Sequence, residues 1–397
     1  MQGYHLWLKP LARGICPTLF FVIMTWAGSG AADIVQLRPQ TNVTANGVAL
    51  IVGTYAIPCV ADWNGDGLPD LLVGYEPAWK VALYTNSGTL AQPVFTTSVN
   101  LQAGGVDLVY SPAYGCGSPA PWVCDYDHDG RRDLLVGDGG SGKVFFYQNT
   151  NTDAQPILAP GVALKLGAAD LSVGIRATPY VVDWDGDGLD DLLCGDGNGY
   201  VHFFKNVGTA QVPAYSSDVY VTAGGSSVNF GIRSVVRVCD WDGDGKPDLL
   251  GTGDTYAGWC RNTGSGLPPV LAAPVALQAP TAAGSLANLS TGARMRFDVA
   301  DWNHDGTPDL LVGDSSGAVY LFEGYPFAFQ QVGCPEAGSC VLRWASAAYL
   351  RYQVLGGTTA DDLNTPWAAS VASEGKTTCW TNAASDAMRF YRLRLLP

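Results

Sequence analysis

The same acidic block returns five times along this chain. It is "DWNGDGLPDLLVG" from Asp62, "DYDHDGRRDLLVG" from Asp125, "DWDGDGLDDLLCG" from Asp183, "DWDGDGKPDLLGT" from Asp240 and "DWNHDGTPDLLVG" from Asp301. The first aspartates lie 63, 58, 57 and 61 residues apart. A repeat of that length marks an array or propeller, because each unit must stack on its neighbours to bury its apolar face. An apolar strand precedes each acidic loop. After "DLLVG" come a glycine turn, an aromatic strand such as "KVFFYQN" or "YVHFFKN", and a further extended piece. Four strands per repeat is the content of one propeller blade.

Composition agrees. Hydrophobic residues make up 47% and charged residues 15%, enough for a sizeable core and too apolar for a disordered chain. The 49 glycines and 24 prolines call for many turns, and no convincing amphipathic helical stretch is present. The expectation is an all-β chain with a five-bladed β-propeller over residues 33–332. After the fifth block only two strands, 309–313 and 318–323, are clear. "DIVQLRPQTNVTANGVALIVG" aligns with the inter-block stretch "TTSVNLQAGGVDLVYSP". An N-terminal strand near Ile34–Leu37 is therefore expected to complete the fifth blade and remove the open edge. A ring of six or more blades would need another hidden near 324–340, a stretch too short to supply one. The last residues, 338–397, break the period. Their alternating runs, including "SCVLRWASAAYLRYQVLGG" and "MRFYRLRLL", suggest about five strands in a small C-terminal β-sandwich, loosely similar to fibronectin type III or immunoglobulin-like tails.

The first residues carry Lys9 and Arg13, then "ICPTLFFVIMTWAG", then "SGAAD". That order is expected of a signal peptide over 1–32, cleaved near Ala32. A membrane anchor is the alternative, but the apolar run is rather short for one. The product would be secreted, periplasmic or on the cell surface, with no membrane span after cleavage. Of ten cysteines, Cys16 would leave with the signal, and the odd remainder leaves at least one thiol unpaired or paired between chains. Cys334 and Cys340 are close enough for a local bridge in an oxidising compartment.

Within each block, positions one, three, five and nine are Asp or Asn, and position six is Gly. Oxygen donors one residue apart converge if the chain curls, and position seven can add its carbonyl. Such a set, without nitrogen or sulfur, selects a hard cation, and its flexible geometry suits Ca²⁺. The front half follows EF-hand logic; the bidentate Glu at position twelve is missing, and a strand follows instead of a helix.

The repeat resembles the FG-GAP (also called VCBS) repeats of integrin-like β-propellers. The resemblance implies a Ca²⁺ loop between the first two strands of each blade, about five structural ions in all. It places the ligands at Asp62, Asn64, Asp66, the Leu68 carbonyl and Asp70 in the first loop, and at Asp125, Asp127, Asp129, the Arg131 carbonyl and Asp133 in the second. The third takes Asp183, Asp185, Asp187, the Leu189 carbonyl and Asp191; the fourth Asp240, Asp242, Asp244, the Lys246 carbonyl and Asp248. The fifth takes Asp301, Asn303, Asp305, the Thr307 carbonyl and Asp309. Asn64 and Asn303 each remove one charge, so those loops are expected to hold the ion more weakly.

The opposite face offers a second set. Arginine recurs seven residues before the block at Arg176, Arg233 and Arg294, where the first two repeats carry Tyr55 and Ser118. This is either a partial cationic ring at the channel mouth, suited to an acidic sugar or a partner's carboxylate, or a set of intra-blade pairs with Asp196, Asp254 and Asp314. Tyr110, Tyr114 and Trp122, in the longest connection (101–122), are further candidates for a ligand surface. The aromatic at position two (Trp63, Tyr126, Trp184, Trp241, Trp302) is expected to pack between blades. No nucleophile–base pair is visible, and a net charge of −14 argues against nucleic acid. The expected function is an exported, non-enzymatic binding or adhesion module for a glycan or extracellular protein. A polysaccharide-active lyase or hydrolase is the alternative, its carboxylates hidden among acids such as Glu76, Asp107 or Asp170. Oligomeric state is left open.

Overall fold

The structure, a computed structural model, describes residues 35–110, 117–281 and 285–325, and beyond them the backbone of six strands between 329 and 396. The proposed signal peptide, Tyr114 and the Cys334–Cys340 bridge lie outside the described residues. Two compact units separate, one of them Ile34–Pro326.

That unit is an all-β propeller of five antiparallel four-stranded blades. Blade 1 runs Thr54–Ala61, Asp70–Glu76, Lys80–Tyr84, Ser98–Asn100. Blade 2 runs Ala120–Cys124, Asp133–Gly137, Val144–Tyr147, Val162–Ala163, and blade 3 Thr178–Val182, Asp191–Gly195, Val201–Phe204, Val219–Tyr220. Blade 4 is Val235–Cys239, Asp248–Thr252, Ala257–Cys260, Val275–Ala276. In blade 5, Arg296–Ala300, Asp309–Gly313 and Val319–Phe322 are completed by the N-terminal Thr41–Asn42.

The ring therefore closes by strand exchange, but with a different strand from the one expected. Thr41 and Asn42 pair with Leu321 and Tyr320, whereas Gln36 and Leu37 pair with Tyr325 and Gly324 beside the blade. The reason is local. In every blade the fourth strand is followed by one buried apolar residue (Leu101, Leu164, Val221, Leu277, and Val43 for blade 5) and then by a short hairpin. Val43 fixes Thr41–Asn42 in that register.

The cores lie between blades. Each position-two aromatic is at most 5% exposed and joins the cluster shared with the next blade, Trp302 packing across the closure with Val43, Leu71 and Phe95. The glycine ending "DLLVG" permits this approach. A Cβ on Gly74, Gly137 or Gly313 would lie 1.7, 2.0 or 2.3 Å from a carbonyl oxygen of the next blade's first strand or of the residue just before it.

Between the first strands, side chains from four blades meet. Arg237 pairs with Asp298, both buried, and its guanidinium lies 4.8 Å from the Trp122 ring and 5.6 Å from Tyr180. Asp298 also accepts the Val60 amide of blade 1 at 2.6 Å.

In the C-terminal unit, Phe329–Gly333, Ser339–Ala345 and Thr377–Ala383 form one three-stranded sheet, and Thr365–Ala372, Arg351–Gly357 and Phe390–Leu396 another. Phe329–Gly333 belongs to that sheet, so it is not part of a further blade. No helix among the described residues is long and apolar enough to cross a membrane.

Candidate metal loops and a candidate binding cavity

Each acidic loop joins the first and second strands of its blade and is curled by its own carboxylates. In loops 2 to 5 the position-one aspartate accepts amides from positions five and six, as when Asp125 takes Asp129 N at 3.0 Å and Gly130 N at 3.0 Å. In the first loop Asp62 takes only the Gly67 amide, and Asp66 N goes to Asn64 Oδ1. Position six is left-handed in all five loops, with φ between 83° and 88°, which is why Gly stands there. Position four is left-handed too, and carries Gly except at His128 and His304.

Position nine anchors the loop to the blade. Asp133 Oδ2 accepts Tyr126 N at 3.1 Å and Oδ1 accepts Asn149 N at 2.8 Å. Asp70, Asp191, Asp248 and Asp309 repeat this, each fully buried. Burial pushes these carboxyls up, to about 6 at Asp133, about 6 at Asp191 and about 7 at Asp309.

In three loops the carboxylates of positions one, three and nine converge, each offering an oxygen within 4.8 Å of the others. The sets are Asp125–Asp127–Asp133, Asp183–Asp185–Asp191 and Asp240–Asp242–Asp248. Loops 1 and 5 hold Asn64 and Asn303 at position three. The position-five carboxylates (Asp66, Asp129, Asp187, Asp244, Asp305) instead accept the position-seven amides of Leu68, Arg131, Leu189, Lys246 and Thr307.

The donor sets fit a hard cation. Oδ1 of Asp62, of Asp127 and of Asp185 is buried without a hydrogen-bond partner. Oxygens left in that condition are costly, and an oxygen-coordinating divalent ion satisfies them. Cations not foreseen from the acidic block stand beside three loops, Arg132 of the second repeat reaching Asp62 of the first at 3.1 Å. Lys205 Nζ reaches Asp185 and, at 2.7 Å, Asp187; Arg261 Nε lies 2.6 Å from Asp242. Lys205 and Arg261 directly precede the Asn whose amide binds position nine, which is the signal that could have exposed them.

At the other end of the first strands, Tyr55, Ser118, Arg176, Arg233 and Arg294, one from each blade, line a single cavity open to solvent. Arg296 and Glu76 also line it. Arg296 was missed, although it follows Arg294 by two residues. The pairing alternative holds in blade 4, where Arg233 contacts Asp254. In blade 5, Arg294 lies 4.3 Å from the centre of the Tyr55 ring. Asp314 caps its own hairpin through Ser316, and Asp196 does so through Asn198 and Tyr200.

Two of the proposed ligand-surface aromatics are packing residues. Tyr110 is 6% exposed and donates to Tyr147 Oη at 2.7 Å, and Trp122 lies inside a first strand against Tyr180. Tyr110 is buried and Trp122 half-buried, both packed between neighbouring blades. Asp107 and Asp170, considered as hidden catalytic acids, are hairpin acids. Asp107 pairs with Lys80 at 2.8 Å and Asp170 with Lys143 at 2.7 Å, and these hydrogen bonds hold both carboxyls down, to about 2.

A family model described as FG-GAP-like repeat matches residues 183–250 and 240–312, covering the third to fifth acidic loops. Residues 183–312 of the propeller thus carry FG-GAP-like repeats. Integrin alpha-7 of Homo sapiens is 32% identical over 173 residues, which is 40% of this chain and 13% of that protein. Integrin alpha-4 of Xenopus laevis is 29% identical over 160 residues, 36% of this chain and 14% of the relative. The match thus spans a small fraction of each integrin chain. Among solved structures, an Agrocybe aegerita lectin aligns over 85% of this chain and 87% of its own, at 16% identity and a TM-score of 0.33. A Photorhabdus luminescens Tc holotoxin pore aligns over 81% of this chain and 16% of its own, at 14% identity and a TM-score of 0.36. Likeness at that level says nothing about ligands.

Proposed function

We propose that this chain is an exported, calcium-stabilised binding module. Ca²⁺ is held at the five acidic loops as a structural ion, and an extracellular protein or glycan is recognised at the opposite end of the blades, without turnover. Buried carboxylate oxygens without partners, in loops that share one register, are the observation that carries the calcium reading. The ion would supply charge neutralisation and coordination; the chain supplies the curl, the position-nine anchor and the buried setting. The kinship with integrin alpha chains supports a binding role, and an extracellular or surface location agrees with the charged-apolar-small order of the first residues. The two C-terminal sheets suit a β-sandwich acting as spacer or docking element. An array of immobilised extracellular proteins and polysaccharides, probed with calcium-loaded chain, tests the reading. Saturable capture without product release is expected; chemical change in a captured polysaccharide would overturn it.

A further inference from the structure

The arginine cavity carries a charge pattern that the blade repeat does not require. Three of its five equivalent rim positions are arginine, and Arg296, buried, adds a fourth guanidinium. Two carboxylates stand with them: Glu76, and Asp254, which contacts Arg233 and lies 3.9 Å from Arg296. Guanidinium groups remain protonated at neutral pH, so the positive excess is permanent. Burial, and then the like charges of Arg233, Arg176 and Arg294, press Arg296 down to about 9 against the opposing pull of Asp254.

The backbone holds this arrangement at some cost. Tyr55, Arg176, Arg233 and Arg294 have φ of 54°, 55°, 68° and 61°, a left-handed conformation uncommon outside Gly and concentrated at binding sites. The neighbouring hydroxyls are already engaged, Ser118 Oγ with Tyr55 O at 2.7 Å and Thr178 Oγ1 with Ser234 O at 2.8 Å. Glu76 accepts the Gly117 amide at 2.5 Å and, as a carboxylate, has lone pairs for further donors. Guanidinium forks match a planar carboxylate. An acid among them calls for a donor on the same ligand.

We infer that this cavity binds a hydroxylated carboxylate, a sugar acid, its carboxylate held by Arg176, Arg233 and Arg294 and a hydroxyl donated to Glu76. The inference rests on the binding-module reading and narrows it to one ligand class.

The test is an NMR-detected titration of the calcium-loaded full chain with D-glucuronate, and in parallel with D-glucose, inorganic phosphate and glycine. Glucuronate is expected to bind, with each of the others weaker by roughly tenfold or more. The double variant Arg176→Lys/Arg294→Lys keeps the charge and loses the forks. It should weaken glucuronate by roughly tenfold at unchanged unfolding temperature, while Lys165→Ala on an exposed hairpin leaves binding intact. Phosphate or glycine binding as tightly as glucuronate overturns the assignment, as does no glucuronate binding. Capture of a partner on the array without glucuronate binding sinks this inference alone; an empty array and no binding sink both.

Discussion

The two ends of the propeller's first strands use charge in opposite ways. At one end, aspartates from a single blade crowd together, with one buried oxygen of each of Asp62, Asp127 and Asp185 unpartnered and their charges mutually repulsive. At the other, arginines from different blades gather around one cavity. The clustered carboxylates of the acidic end come from one blade at a time, so each loop offers its own donor set. The cationic end exists only when the ring is closed, so it is one site per molecule and varies from blade to blade. Repetition suits a structural ion; the broken repetition of Tyr55, Ser118 and three arginines suits recognition.

The largest effect should come from the anchor of the acidic end. Asp133→Ala strips Tyr126 N and Asn149 N of their buried acceptor and removes a carboxylate from the cluster. A loss of about 3 kcal/mol or more is expected in denaturant unfolding with calcium present. A mild effect would break the claim that this end is structural. Gly137→Ala disturbs the cationic end instead, since its Cβ would sit 2.0 Å from Ala177 O. About 2 kcal/mol should be lost, independent of calcium; a calcium-dependent loss would mean the two ends are coupled.

Proton linkage sharpens the contrast. Burial raises Asp133, Asp191 and Asp309 to about 6, 6 and 7 in the folded chain. Groups raised on folding contribute stability below their unfolded pKa of about 4 and lose it as pH climbs through the folded value. In chelator, melting should therefore be higher at pH 5 than at pH 7.5. In saturating calcium the order should reverse, because protons then compete with the ion. The acids lowered to about 2, Asp107 and Asp170, are fully ionised across this window and do not alter the sign. The smallest effect concerns Lys205, which contacts Asp185 and Asp187. Lys205→Met should leave stability nearly unchanged yet tighten calcium binding at the third loop, visible as a shift in the titration isotherm. Unchanged calcium affinity would show that this cation does not compete.

Much of this was legible because the repeat fixes register. A loop, an apolar strand and an arginine at a constant offset place the acids and the arginines at opposite ends of the same strand. Position-two aromatics were correctly placed between blades because every blade must bury the same residue against its neighbour. What the sequence hid was contact between repeats. The closing strand was misplaced because the single residue that sets its register, Val43, is marked only by its hairpin. Trp122 and Tyr110 looked like loop aromatics until packing claimed them. The Arg237–Asp298 pair arises from the approach of two blades, which no spacing within one repeat encodes; Lys205 and Arg261 lie in the same repeat as their loops and are marked only by the Asn that follows each.

The central claim is that the acidic loops are calcium sites that hold the propeller together. It is tested most directly by thermal unfolding of the full chain with calcium and with excess chelator, beside a count of bound calcium by elemental analysis. The account predicts four or five ions per chain and a large drop in melting temperature on chelation. One ion or none, with melting unmoved by chelator, would contradict it.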